Sequence, residues 1–129
     1  EIVKDKHSTM VRLWSYQGMY PVAEIRNATY QQVENALGTL AETLPGGWLS
    51  DQVWVTLNSN LRSSVYLKNA LVTTYKYKPL VGIIEMIDPR GKSTYYDYDV
   101  HGRLKEIYII EGGIKKLLQE NEYKYYNEK

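Results

Sequence analysis

The sequence predicts an α+β fold: an antiparallel twisted sheet of about six or seven strands, built of hairpins, with one or two helices inserted after the first hairpin and packed on one sheet face. Three observations predict it. Thr73-Thr74-Tyr75-Lys76-Tyr77 and Thr94-Tyr95-Tyr96-Asp97-Tyr98-Asp99 are near copies, with Tyr77 and Tyr98 21 residues apart, the length of one hairpin unit. Between Asn27 and Leu44 the apolar residues Tyr30, Val33, Ala36, Leu37, Leu40, Ala41 and Leu44 recur in steps of three and four, which is one stripe of a helix. The aromatic residues are 13 Tyr and 3 Trp with no Phe, and a ring carrying a hydroxyl suits a half-exposed strand face better than a sealed core.

Taken in order, residues 1–8 are mostly polar and read as a lead-in. Thr9 to Tyr16 alternates Val11, Leu13 and Ser15 against Met10, Arg12, Trp14 and Tyr16, which is a strand pattern. Gln17-Gly18 marks a turn, and Tyr20 to Arg26 returns as a second strand, with Pro21 near its start where a missing N–H is tolerated. Trp14-Ser15-Tyr16 takes the place that Tyr75-Lys76-Tyr77 holds later in the chain. The helix over 27–44 has a capping box at Thr29-x-x-Gln32, with Asn27 as a rival cap, and stops at Pro45-Gly46-Gly47. Gly38 inside it costs about 1 kcal/mol, which a close helix-to-sheet approach would explain. Ser50 or Asp51 can cap a second helix carrying Val53, Trp54, Leu57 and Leu61, although Gln52 to Leu57 also fits a strand.

Strands then resume at Ala70 to Lys78, Ile83 to Ile87, Lys92 to Asp99, Arg103 to Ile110 and Ile114 to Tyr126. Asp88-Pro89-Arg90-Gly91 is a β-turn, since Pro presets φ at the second position and Gly closes it. Val100-His101-Gly102 and Glu111-Gly112-Gly113 turn the chain again. The chain divides as one domain: a first hairpin over 1–26, a helical insert over 27–68, and repeat hairpins over 69–129. A start at Glu1 rather than Met reads as a piece of a longer repeat protein, with any signal peptide outside it.

Composition excludes several classes. Net charge is +1 and no basic run exceeds two residues, so the footprint of a nucleic-acid binder is missing. There is no Cys, hence no disulfide framework and no thiolate metal site. No apolar run is long enough for membrane insertion as a helix. His101 sits in a turn without a partner at metal spacing, and no Ser, His and Asp share a nucleophile context. Asp97, Asp99, Glu106 and Glu111 are expected in salt bridges with Lys92, Arg103 and Lys105 rather than around a cation. No catalytic residue, cofactor or metal ligand is therefore expected, and the chain does not read as an enzyme. Trp14, Tyr16, Tyr75, Tyr77, Tyr96 and Tyr98 could line up across strands as a platform on which sugar rings stack; the plainer expectation is that they pack under the helix stripe or against each other.

At Tyr95-Tyr96-Asp97-Tyr98-Asp99-Val100-His101-Gly102-Arg103-Leu104 the chain resembles the YD repeat of the Rhs proteins. Asp88-Pro89-Arg90-Gly91 and Glu111-Gly112-Gly113 stand at the repeat's second turn, and Tyr75 to Gly82 is a degenerate copy without the Asp and the Arg-Leu. From Leu13 to Tyr126 the chain also looks like the last repeats of large surface proteins of Bacteroides-type bacteria. The resemblance implies hairpins stacked edge to edge in a long curling sheet, on the surface of a Gram-negative cell or secreted from it, walling a shell or forming a filament. Its motif residues here are Asp88, Pro89, Gly91, Asp99, Gly102 and Arg103, with Gly102 supplying a φ > 0 turn and Arg103 pairing with Asp97 or Asp99 or lying across Tyr rings. The implied partners are neighbouring repeats of the same polypeptide, a glycan, and other copies through open sheet edges. Some Rhs shells carry an aspartate protease site with two Asp-Pro-x-Gly turns; this chain has one, at Asp88, so self-cleavage is not carried over.

Overall fold

A computed structural model describes residues 2–4, 10–15, 20–43 and 49–122. Eight antiparallel strands follow one another in a single meander: β1 (Ile2–Lys4), β2 (Met10–Ser15), β3 (Tyr20–Arg26), β4 (Leu71–Lys78), β5 (Gly82–Ile87), β6 (Ser93–Tyr98), β7 (Leu104–Glu111) and β8 (Ile114–Glu120). Three helices, α1 (Tyr30–Leu37), α2 (Leu40–Thr43) and α3 (Asp51–Ser63), lie in the crossing from β3 to β4, followed by a 3-10 turn over Val65–Leu67. The α+β class agrees with the sequence.

Local chemistry sets the helix starts. Thr29 has an extended backbone, its Oγ1 accepts from the Gln32 amide at 3.2 Å, and Gln32 Oε1 accepts from the Thr29 amide at 2.9 Å, closing the capping box. Asn27 is not the cap; at φ 59° it donates its side-chain amide to Asn69 O across the insert. Ser50 caps α3 by accepting from the Val53 amide, which decides the 52–57 segment in favour of helix.

Four expectations change. The 27–44 segment is two helices, because Gly38 takes φ 58°, donates to Glu34 O, and ends α1. No neighbour comes within 4 Å of the position of a Gly38 Cβ, so it serves a left-handed stop and no close approach to the sheet. Within the polar lead-in, Ile2–Lys4 forms a strand, since the β-branched Ile2-Val3 pair finds the free edge of β2 in register Ile2↔Leu13. The sheet thus has eight strands, and its first unit is three strands. The last strand ends at Glu120, with Asn121 and Glu122 outside it; the expected continuation over 123–126 lies outside the described residues. Tyr16, the Gln17-Gly18 turn, the Pro45-Gly46-Gly47 stop and residues 123–129 lie outside the described residues.

The core is gathered at one end of the meander. Val11, Leu13, Ala23, Ile25 and Val72 of β2–β4 meet Val33 and Leu37 of α1 and Trp54, Leu57 and Leu61 of α3, all but excluded from water. The helices therefore cover β2–β4, and among the described residues their apolar contacts reach no further than Ile87 at the end of β5, leaving β5–β7 half-buried, a narrower cover than the helix stripe implied. In β8 every residue is exposed, with Ile114 at 71% and Leu118 at 56%.

Four ladders share one irregularity; in β7–β8 the slip falls between Ile107 and Tyr108 and leaves Leu118 as the extra residue, and the other three are alike in position. The ladder slips by one residue between Leu13 and Trp14, between Lys76 and Tyr77, and between Asp97 and Tyr98, leaving Val22, Ile84 and Lys105 as the extra residue on the returning strand. Trp14, Tyr77 and Tyr98 are thus equivalent, which moves the alignment of the first hairpin two residues from the one the Tyr-x-Tyr spelling suggests.

Candidate functional site

The two Gly-containing turns of the repeat are built alike. Asp88 Oδ1 accepts from the amides of Arg90 and Lys92, both at 2.9 Å, while the Asp88 amide donates to Lys92 O and the Gly91 amide to Asp88 O. Asp99 Oδ1 accepts from the amides of His101 at 2.8 Å and Arg103 at 3.0 Å, with the same two main-chain bonds closing the loop. Gly91 at φ 84° and Gly102 at φ 78° hold the left-handed position that each loop requires. Pro89 occupies the second position of the first turn, where Val100 stands in the second. Arg103 adds an ion pair from Nε to Asp99 Oδ2 at 3.0 Å. Led by the Arg103 amide, these donors hold the Asp99 carboxyl below the usual carboxylate range.

The aromatic residues fall into separate settings instead of one ladder. Tyr77 stacks on Tyr20 at 4.9 Å, packs against the core, and donates its hydroxyl to Pro21 O at 2.6 Å. Tyr98 repeats that bond one hairpin later, donating to Ile83 O at 2.7 Å. Burial, then the neighbouring Tyr96, push the Tyr98 phenol up. Lys76 faces the helices, bonding Asp51 Oδ1 at 2.8 Å, so alternation along β4 turns Tyr75 to the opposite face. The register Lys76↔Glu85↔Tyr95 places Tyr96 on that same uncovered face. Tyr75 is raised chiefly by burial, then by Glu24 and Tyr96, against the opposing pull of Arg26 and Arg12. Trp14 is half-buried, with its indole nitrogen shielded from water.

Sequence reasoning missed two groupings. Tyr95 and Tyr108 face each other across β6 and β7 and stack at 5.3 Å, with Lys115 Nζ 4.5 Å above the Tyr108 ring and 2.6 Å from Glu106 Oε1. The Glu106 hydrogen bond holds the Lys115 ammonium in its charged form, raising its pKa. The spelling gave no hint, because a cross-strand pair exists only once the register is known. The second grouping joins α3 to the sheet. Arg62 donates from Nε to Asn58 Oδ1, from Nη1 to Asp88 O, and from Nη2 to Thr74 Oγ1 and Ile87 O, all within 3.2 Å. Thr74, fully buried, donates to Asn58 Oδ1 at 2.6 Å.

Among the described residues no three of His, Asp and Glu gather where they could hold a metal ion, and no helix is long and apolar enough to cross a membrane. An open groove of about 530 Å³ lies where β6 and β7 part, between the Asp88–Lys92 turn and the end of β7 at Ile109–Glu111. No model of a known family matches the chain, and no curated protein matches it.

Proposed function

We propose that the chain is a non-catalytic structural module, a hairpin-repeat segment of a secreted or cell-surface protein whose unit resembles the YD repeat. The observation that carries this reading is the reuse of one construction: an Asp-x-x-Gly turn closed by a carboxylate on two amides, and a ladder slip opposite Trp14, Tyr77 and Tyr98. Such a unit spends its polar chemistry on its own backbone. The tyrosine hydroxyls of Tyr77 and Tyr98 seal one strand to the next, and the Asp side chains fix turns. Neighbouring repeats of the same polypeptide are the natural partners of such a sheet. Self-association through the β8 edge is opposed by Lys115, Lys116 and the extra residue at Leu118, which blunt indiscriminate strand pairing.

The second reading, a carbohydrate-binding surface, rests on Tyr75 and Tyr96, which lie together on the uncovered face. A broad glycan array decides between the two. Absence of binding is expected. Saturable binding that Tyr75→Ala and Tyr96→Ala abolish would replace the structural reading with the sugar-binding one. Tyr77 and Tyr98 are poor probes, since their loss unseats strands.

A further inference from the structure

Beside the Asp88–Lys92 turn, a groove of about 260 Å³ runs between that turn and the end of α3. Three cations line it, Arg62, Lys68 and Arg90, and no acidic side chain does; Pro89 is its exposed apolar wall, with the buried Leu61 and Leu67 behind it. Among the described residues none of the three cations has a carboxylate within ion-pair distance. Arg62 is the informative one. Its guanidinium has five N–H donors, and four of them meet neutral acceptors: Asn58 Oδ1, Asp88 O, Thr74 Oγ1 and Ile87 O. One hydrogen on Nη1 is left over. Asp88 supplies the counter-charge that Arg62 feels, but its Oδ1 is already shared by the Arg90 and Lys92 amides. A partly desolvated cation surrounded by dipoles, with two exposed cations beside it, makes a positive pocket with fixed donors.

We propose that this groove binds a carboxylate carried on a short apolar stem, with the acid head at Arg62, Lys68 and Arg90 and the stem on the exposed Pro89 ring, over the core edge that Leu61 and Leu67 close from below. The planar guanidinium fork suits a carboxylate, and the apolar wall selects against a bare oxyanion. The acid could be free or the C-terminal residue of a peptide. This inference is independent of the structural reading, since a wall module without catalysis can still carry the groove.

The test uses the whole chain, labelled with nitrogen-15, titrated at constant ionic strength with butyrate, with acetyl-Ala-Leu as acid and as amide, and with inorganic phosphate. Butyrate is expected to shift amides of 61–72 and of Arg90 and Gly91 saturably. Lys68→Gln and Arg90→Gln, both at exposed positions, should each weaken it by about tenfold, the weight of one charge-assisted hydrogen bond. Binding of the peptide acid but not its amide assigns the ligand to a chain terminus; binding of butyrate alone assigns it to a free small acid. A linear response, unchanged affinity in the two variants, or phosphate binding as tightly as butyrate overturns the proposal.

Discussion

Gly82 and Tyr98 are neighbours in space although they belong to different strands. A Cβ at Gly82 would stand 2.8 Å from Tyr98 Oη, and its φ of 148° is one that side-chain-bearing residues rarely adopt. Gly82→Ala is therefore expected to destabilise by about 1–3 kcal/mol, read as a lower urea midpoint. Tyr98→Phe keeps the ring but leaves Ile83 O without its donor, at about 1 kcal/mol. With Oη removed, Gly82→Ala should cost less in the Tyr98→Phe background; equal costs in both backgrounds would show that the backbone, and not the crowding, carries the penalty. Asp99 gives the acid-side prediction. Its folded pKa lies below the unfolded value near 4, so its contribution is complete above about pH 4 and is lost as pH falls through the folded value. Urea midpoints measured in steps from pH 5 to pH 2 should fall more steeply for the wild type than for Asp99→Asn. Both residues were visible in the sequence, Gly82 as part of a degenerate copy and Asp99 as part of the repeat. The clash with Tyr98 was not, because it needs two strands to be placed side by side.

At the scale of elements, α3 is tied down by polar contacts as well as by Trp54, Leu57 and Leu61. Its start was legible, because a Ser50 cap acts on an amide three residues away. Its attachment was not. Asn58 reads in isolation as a poor helix former, and Arg62 as an exposed cation in the last turn. Their partners Thr74, Ile87 and Asp88 lie 12 to 26 residues further on and become neighbours only after β4 and β5 pair. Thr74→Val retains the shape and removes the hydroxyl, leaving Asn58 and Arg62 each short of a partner at a buried site; a loss of about 1–2 kcal/mol is expected. Arg62→Met should cost more, about 2–3 kcal/mol, because Asn58 Oδ1, Thr74 Oγ1, Ile87 O and Asp88 O each lose one donor at once. Chemical denaturation of the two single variants and the double variant checks this. Additive losses would mean that the bonds form separate contacts and no network. Gly38 carries the complementary lesson: a step of three and four continues through it, so periodicity reads one helix where the φ of 58° makes two.

For the molecule as a whole, cohesion runs downhill from the helices to the last strand. The meander gives every strand its backbone bonds, but burial is granted unequally. β2, β3 and β4 hold the residues shut away under α1 and α3, while β5, β6 and β7 are half-covered and β8 is exposed along its entire length. Apolar surface removed from water is worth about 25 cal/mol per Å², so the strands differ in how much holds them even though their ladders look alike. This gradient was hidden in the sequence, because Leu104 to Ile110 and Ile114 to Leu118 are as apolar as the buried strands and nothing local says which of them a helix will reach. It makes a measurable prediction. Native-state amide exchange should find Val11, Leu13, Ile25 and Val72 opening only with global unfolding, whereas the β8 amides exchange through local openings at a small fraction of that free energy. Denaturant should accelerate the first group strongly and leave the second nearly unchanged. If β8 amides instead show the global dependence on urea, the sheet is one cooperative unit. Its stability would then come from the ladder and the repeated turns, and the helical cover would be secondary.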